Sequence, residues 1–452
     1  MPRLALAPLR TALRAAAPRA RATAPRALAA PRAFHLSSRR AAPDAPATAA
    51  APSVGSAAAG TVDAFTGEVI RAADIDPSRL EIELTKNPKT IPPTNQLVFG
   101  RTFTDHMLTI PWNSQTGWGT PKIQPYAPLQ LDPSATVLHY APTLFEGLKA
   151  YKGKDGVPRL FRPDKNMERM NRSAARLAFP TFTGENVTQL IKKLVEIDAD
   201  WVPTDPGTSL YIRPTMIGTQ AGLGVGASTD VLLFVICSPV GPYYSTGFKP
   251  VKLYATTKDV RAWPGGTGGF KLGSNYAAGV VPQQQAAALG YQQILWLFGP
   301  EHRLTEVGTM NCAAVFARDD GVVELATPPL GDMILPGVTR DSLLSLARAH
   351  ADPSTDFTVE GLPDRLVVSE RDITMREIQD RAADGSLLEF FGTGTAAVVT
   401  AVEAIRFGED EIAVPVRGGK EPGLGQVASA FFHKLRAIQH GEDTHEGWST
   451  TV

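Results

Sequence analysis

Hydrophobic positions become regular only from about Gln96. Between there and Val240, short apolar runs alternate with glycine- and proline-containing turns, the pattern of strands, and one helical period stands out among them. Leu190, Ile191, Leu194, Val195 and Ile197 recur at the three- and four-residue spacing that lines up one face, which predicts an amphipathic helix from Val187 to Trp201. Val231-Leu-Leu-Phe-Val-Ile-Cys237 is an unbroken apolar run of strand length and predicts a buried strand. Residues 96–240 therefore read as a small α+β domain. The stretch Pro239 to Pro250, rich in glycine, proline and tyrosine, reads as an interdomain connector, with the boundary set at 241–251. After it, predicted strands at Gln293–Phe298 and Val322–Ala326 alternate with predicted helices at Tyr276–Leu289 and Asp341–His350, and an amphipathic stretch, Gln426–Gln439, closes the chain. Such alternation describes a larger α/β domain over 252–452. No internal repeat is present.

Composition removes several function classes. A chain of 452 residues with 43% hydrophobic content can bury one large core or two ordinary ones. The longest apolar runs fall well short of the roughly 18 residues of a membrane-crossing helix, so no membrane association is expected. The formal charge of zero conceals an asymmetry: the first 43 residues hold nine arginines and no acidic residue, and the remainder carries 36 basic against 45 acidic residues. An acidic body argues against a nucleic-acid partner. An Arg- and Ala-rich, acid-free N-terminus is the composition of an organelle transit peptide, although a disordered tail without address shares it. Arg32-Ala-Phe34-His-Leu-Ser37 resembles the mitochondrial two-step processing site, so residues 1–41 read as a transit peptide to the mitochondrial matrix and 42–95 as a linker and extension. Two isolated cysteines, Cys237 and Cys312, and no clustered histidines indicate neither a disulfide framework nor a metal site.

Four segments carry candidate chemistry. Gly265-Gly-Thr-Gly-Gly269-Phe-Lys271-Leu-Gly-Ser-Asn-Tyr276 sets a lysine among glycines that permit close backbone approach. It reads as a covalent cofactor lysine or as a flexible surface loop; a phosphate-binding P-loop would need Gly-Lys-Ser/Thr in succession, and Phe270 and Leu272 flank this lysine instead. In Leu304-Thr-Glu306-Val-Gly-Thr309-Met-Asn311 a glutamate follows an apolar strand, either as an ordinary surface residue or as the carboxylate that keeps a pyridine nitrogen protonated. Leu335-Pro-Gly337-Val338-Thr339 feeds a helix whose first amides suit a phosphate, with Thr339 as a plain helix cap the simpler alternative. Gly392-Thr-Gly-Thr395-Ala396 is a tight loop of amides and hydroxyls, or a plain turn. Gly222-Leu-Gly224-Val-Gly226 imitates a dinucleotide fingerprint, but a strand follows it and not a helix, which excludes nicotinamide or flavin binding there.

The order of these segments, lysine, glutamate, phosphate-type turn and glycine-threonine loop, resembles the fold-type IV pyridoxal-phosphate enzymes. Within them the chain is most similar to branched-chain amino-acid aminotransferases, through Leu144-Phe145-Glu-Gly147-Leu-Lys-Ala-Tyr151, Leu160-Phe-Arg-Pro163, Asn166-Met-Glu-Arg169-Met170 and Leu210-Tyr211-Ile-Arg213-Pro214, together with the segments Lys271–Tyr276, Leu304–Asn311 and Phe391–Ala396. The similarity runs from about Gln96 to the end. It implies a two-domain fold with the cofactor at the domain interface, like D-amino-acid aminotransferase, and a PLP-dependent exchange of amino groups between leucine, isoleucine or valine and 2-oxoglutarate.

The resemblance also implies roles. Lys271 would carry pyridoxal 5'-phosphate as a Schiff base and move the proton; Tyr276 would hydrogen-bond the cofactor's phenolate oxygen and Glu306 its pyridinium; Arg169, Val338, Thr339 and Thr395 would clamp the phosphate, with Thr309 beside cofactor and substrate. Phe145, Tyr211 and Tyr243 would wall the substrate pocket unless they are simply core, Arg213 would meet the distal carboxylate, and Thr395 and Ala396 would lie against substrate. Tyr140, Leu223 and Val225 would face the pocket of a second subunit, so a homodimer is expected. Two departures stand out. Ala397 and Thr400 replace a Cys-x-x-Cys of mammalian members, which removes thiol regulation there, and Ala313 and Ala314 replace aromatics after Cys312, which predicts looser packing beside the cofactor. Competing readings are a D-amino-acid aminotransferase, an aminodeoxychorismate lyase, or an inactive cofactor-binding protein.

Overall fold

A computed structural model describes residues 73–241, 249–445 and 447–452, and the backbone of the short strand pair Thr61–Val62 and Val69–Ile70. Two sheets organise the described chain. The first takes β1 (Glu81–Ile82), β2 (His106–Asn113), β3 (Gly117–Trp118), β4 (Lys122–Pro125), β5 (Thr143–Phe145), β6 (Leu148–Lys152), β7 (Pro158–Phe161), β8 (Ser209–Gly218) and β9 (Asp230–Val240). The second takes β10 (Val251–Thr256), β11 (Gln293–Phe298), β12 (Arg303–Val307), β13 (Met310–Ala317), β14 (Val323–Thr327), β15 (Leu366–Glu370), β16 (Leu387–Gly394), β17 (Val398–Phe407) and β18 (Asp410–Ala413). The last strand, β19 (Ser449–Thr451), returns to the first sheet and pairs with β7.

The order in the first sheet is β19-β7-β6-β8-β9-β2-β4-β1, with β3 beside β2 and β5 beside β8. Its backbone is the antiparallel pair β8 and β9, in register from Ser209 opposite Val240 to Gly218 opposite Val231. The predicted strand Val231–Cys237 is thus the middle of a longer one. The second sheet runs β12-β11-β10-β17-β16-β13-β14-β15, and an extra pairing of β12 with β13 closes six of its strands on themselves. Closure removes edges that would otherwise expose unpaired amides. It also sets the Glu306–Asn311 hairpin at the closing seam, where Glu306 pairs with Asn311 in register.

Helices cover both sheets. On the first lies the predicted amphipathic helix, found at Gly184–Ile197, with Ala199–Trp201 continuing as a tighter 3-10 turn. Its Leu190, Ile191, Leu194 and Val195 are buried against Met167 and Met170 of the neighbouring helix Pro163–Arg176. Each such side chain contributes about 1.5–3 kcal/mol by leaving water. The predicted helix Tyr276–Leu289 is instead two, Ser274–Ala277 and Val280–Ala288. Gly279 and Pro282 explain the break: glycine weakens a helix interior, and proline lacks an N–H and is accepted only within a first turn, so a new helix starts there. The helix predicted at Asp341–His350 spans Val338–Ala351, and Gln426–Gln439 is helical as predicted.

The alanines expected to loosen packing are themselves buried. Ala313 and Ala314 face Phe391 and Phe390 across the β13–β16 ladder, and both phenylalanines are fully buried. On that same β16, Glu389 turns its carboxylate onto the start of the C-terminal helix and accepts the amides of Val427 at 2.7 Å and Ala428 at 3.1 Å. Burial pushes its pKa up to about 7. Folded protein therefore takes this proton at a higher pH than unfolded chain, and the stability linked to it is present in acid and lost as pH rises through about 7. Thermal unfolding of wild type and Glu389→Gln, compared at pH 5.5 and 8, should show the wild type gaining relative to the variant at the lower pH. Parallel pH dependence of the two would refute this.

Candidate active site

Lys271 is held from both sides by backbone bonds. Its amide donates to Ser173 Oγ at 3.0 Å, its carbonyl accepts from Phe145 N–H at 3.1 Å, and Leu272 bridges to Leu144. That leaves only the side chain free to extend. Nζ lies 3.1 Å from Tyr276 Oη and 5.0 Å from the centre of the Phe145 ring. The glycine-rich segment before it is therefore an anchored loop, and the flexible-loop alternative fails.

Lys271 stands where two cavities meet. The larger, about 500 Å³, is lined by Phe145, Tyr211, Arg213, Tyr276, Thr309, Thr395 and Ala396 among others. The smaller is lined by Arg169, Glu306, Thr309, Val338, Thr339 and Thr395. Residues separated by hundreds of positions thus converge as the order of segments implied. Glu306 is no surface residue: it is 2% exposed, accepts the Leu335 amide at 2.8 Å and pairs with Arg261 Nε at 3.1 Å. Burial raises its pKa above the usual glutamate value, while the guanidinium of Arg261 pulls the other way.

Arg169 forms a two-pronged ion pair with Glu146, Nε to Oε1 and Nη2 to Oε2, each 2.7 Å, and donates through Nη1 to the Pro336 carbonyl at 2.9 Å. Three of roughly five guanidinium donors are used, which leaves two for an anion. The amides of Val338 and Thr339 begin a helix that has no side-chain cap. Gly337 precedes them because a Cβ there would come within 1.9 Å of Asn311 Oδ1. Thr393 Oγ1, on the same cavity wall, is buried with no hydrogen-bond partner among the described residues. Unused guanidinium donors, free helix-start amides and an orphaned hydroxyl are what a phosphate monoester requires, and a buried carboxylate lining the same cavity suits a pyridinium nitrogen. The residues present fit pyridoxal phosphate.

In the larger cavity Arg213 lies 4.5 Å from the centre of the Phe145 ring and donates to Tyr211 Oη at 2.8 Å. Gly147 makes room for that tyrosine, since a Cβ would come within 2.3 Å of its hydroxyl. The expected wall residue Tyr243 lies outside the described residues. Tyr140, Leu223 and Val225 do not line the cavity: they sit together on the surface, where Tyr140 Oη donates to the Leu223 carbonyl and all three are exposed.

Sequence reasoning missed Phe99, Gln293 and Met310 in the larger cavity, Asn311 and Thr393 in the smaller, and Glu146 and Arg261 as charge partners. Asn311, Thr393 and Glu146 stood inside quoted motifs, so polarity within an apolar motif was a usable signal. Phe99 and Arg261 carried none, because their approach is purely tertiary.

The two sheets and the lysine at the junction of two cavities are the fold-type IV aminotransferase arrangement, and the amino-transferase class IV family matches residues 143–405. The mitochondrial branched-chain-amino-acid aminotransferase of Saccharomyces cerevisiae is 52% identical over 381 residues, covering 84% of this chain and 94% of that protein. That of Bos taurus is 47% identical over 390 residues, covering 86% and 93%. The solved branched-chain amino acid aminotransferase of Thermobaculum terrenum in its PLP-form shares the fold, with a TM-score of 0.58 at 21% identity over 77% of this chain and 98% of that one. The chain belongs to the branched-chain amino-acid aminotransferases of class IV. It is a transaminase.

Glu146→Gln would leave the Arg169 charge buried and half-paired. Stability to denaturant should fall by about 3–5 kcal/mol, with weaker retention of pyridoxal phosphate in dialysis; unchanged values for both would show that the pair is not structural.

Proposed function

We propose that this enzyme carries pyridoxal phosphate on Lys271 and moves the amino group of L-leucine, L-isoleucine or L-valine to 2-oxoglutarate, reversibly yielding branched-chain 2-oxo acids and L-glutamate. The observation that carries this reading is the lysine amine set between a cavity with phosphate-type donors and a buried carboxylate on one side, and an aromatic cavity with a single guanidinium on the other. Pyridoxal phosphate, when bound, supplies a carbonyl carbon that condenses with amines and a ring that withdraws electrons from the substrate's α-carbon.

The protein's residues do the rest. Lys271 Nζ holds the cofactor, and after the substrate amine displaces it the same amine takes and returns the α-proton. Tyr276, in hydrogen-bond reach of that nitrogen, holds the cofactor's phenolate oxygen. Glu306, paired with Arg261, holds the ring-nitrogen proton. Arg169, the amides of Val338 and Thr339, and Thr395 anchor the phosphate. Phe145 and Tyr211 shield an aliphatic side chain from water, and Arg213, over the Phe145 ring, meets the second carboxylate of 2-oxoglutarate. One pocket thereby takes a branched hydrocarbon or an anion. The exposed cluster of Tyr140, Leu223 and Val225 supports a homodimer in which these residues complete the second subunit's pocket. Residues 1–41 lie outside the described residues; their composition and the relatives named mitochondrial support delivery to the matrix.

Lys271→Ala should lose the visible absorbance of protein-bound cofactor and at least about 10³-fold of leucine-to-2-oxoglutarate exchange, assayed as glutamate formed. Full activity in that variant, or wild type that accepts D-alanine and not L-leucine, sinks the assignment. Arg213→Leu should raise KM for 2-oxoglutarate roughly 30- to 100-fold, the loss of a charge-assisted contact, while KM for L-leucine moves only a few-fold. Removing residues 1–41 should leave activity intact and shift a tagged protein out of mitochondria; unchanged localisation refutes the transit role.

A further inference from the structure

An arginine directly before a proline at a helix start has no local reason to be buried, yet Arg162, in the motif Leu160-Phe-Arg-Pro163, is 7% exposed. Its backbone is left-handed, φ 47 and ψ 51, which a side-chain-bearing residue rarely adopts and which the following proline disfavours further. Such a conformation persists only where its surroundings impose it. The C-terminal segment does so here. The Arg162 amide donates to the Trp448 carbonyl at 2.8 Å, the guanidinium carbon lies 4.3 Å from the centre of the Trp448 ring, and β19 continues from there beside β7.

The guanidinium held this way serves another element, the helix Val338–Ala351. Nη1 donates to Ser342 Oγ at 2.8 Å, and Nη2 pairs with Asp341 Oδ2 at 2.7 Å. Ser342 is fully buried, and its hydroxyl donates in turn to the Val338 carbonyl at 2.8 Å. That carbonyl and the Thr339 N–H belong to one planar peptide and point in opposite directions. A donor chain ending on the carbonyl therefore fixes the direction of the Thr339 amide, and it also strengthens that amide as a donor, since linked hydrogen bonds polarise one another. Val338 and Thr339 line the smaller cavity. Asp341 sits in the first turn of the same helix, where its carboxylate would repel an anion held by the helix start. The ion pair with Arg162 neutralises it.

We propose that Arg162 is a positioning residue for the cofactor's phosphate: through Ser342 it aims the Thr339 amide, and through its ion pair it keeps the Asp341 charge from opposing the anion. The proposal rests on the reading that pyridoxal phosphate occupies this site. Two arginines then act in two layers. Arg169 lines the cavity and offers donors of its own, whereas Arg162 stands behind the wall and acts only through the helix start. The C-terminal segment gains a part in cofactor retention, because Trp448 holds Arg162 in its left-handed conformation.

The test titrates full-length wild type, Arg162→Met and Ser342→Ala, each freed of cofactor, with pyridoxal phosphate and with pyridoxal, which lacks the phosphate. Arg162→Met should weaken pyridoxal phosphate roughly 10- to 30-fold, about the worth of one charge-assisted hydrogen bond, and move pyridoxal by less than about 2-fold. Ser342→Ala deletes the relay and keeps the ion pair; it should weaken pyridoxal phosphate about 3- to 10-fold with the same selectivity. Adding Asp341→Asn to Arg162→Met should recover part of the loss, since the unopposed charge is then gone. The phosphorus NMR resonance of the bound cofactor should shift in both single variants. Equal weakening of both ligands in Arg162→Met, or of neither with a lowered melting temperature, would make the arginine merely structural and overturn the proposal. Unchanged pyridoxal phosphate affinity in Ser342→Ala overturns the relay whatever Arg162→Met does, failure to fold included. Wild type that takes up no pyridoxal phosphate would instead remove the cofactor reading beneath it.

Discussion

The guanidinium of Arg169 sits where the two sheets meet, and its geometry sets the rest of the site. Both oxygens of Glu146, from the segment between β5 and β6, grip one edge, and the carbonyl of Pro336, from the turn that starts the Val338–Ala351 helix, takes another donor. One planar cation therefore fixes the first sheet, the helix Pro163–Arg176 and the phosphate-type turn relative to each other. A buried charge is tolerable only when paired and fully hydrogen-bonded, so these elements cannot drift apart without stranding it. Asn166, one turn earlier on the helix, braces the same carboxylate at 2.7 Å.

Around this fixed point the site divides its work by environment. The smaller cavity is largely polar, lined by hydrogen-bond donors and one carboxylate. The larger carries four aromatic rings, with its one guanidinium over the ring of Phe145. Lys271 joins them, restrained through its backbone while its amine bonds the Tyr276 hydroxyl at the end of a flexible side chain. Rigidity of the support and mobility of the reacting group are thus assigned to different bonds of the same residue.

Much of this was legible as segments. The glycine-flanked lysine, the glutamate after an apolar strand, the proline-glycine turn and the glycine-threonine loop are each local devices whose composition follows from the local geometry they must adopt, which is why a linear reading finds them. The helix Gly184–Ile197 and strand β9 were legible for the same reason, since burial of one face imposes its period on the sequence. The single long helix expected after Tyr276 was misread because apolar and polar positions alone do not register what Gly279 and Pro282 do to a backbone.

The sequence by itself determined the kinds of element, their order and the chemical character of each site segment, because those depend on interactions within a few residues. Only the tertiary structure decided that Glu306 is buried beside Arg261, that Phe390 and Phe391 lie opposite Ala314 and Ala313, that Phe99 reaches the larger cavity, and that Lys149 ends on the Ala396 carbonyl. Each of those facts joins residues far apart in the chain. Their meeting depends on sheet register and closure, which sum over the whole fold and leave no period or motif in the sequence near either residue.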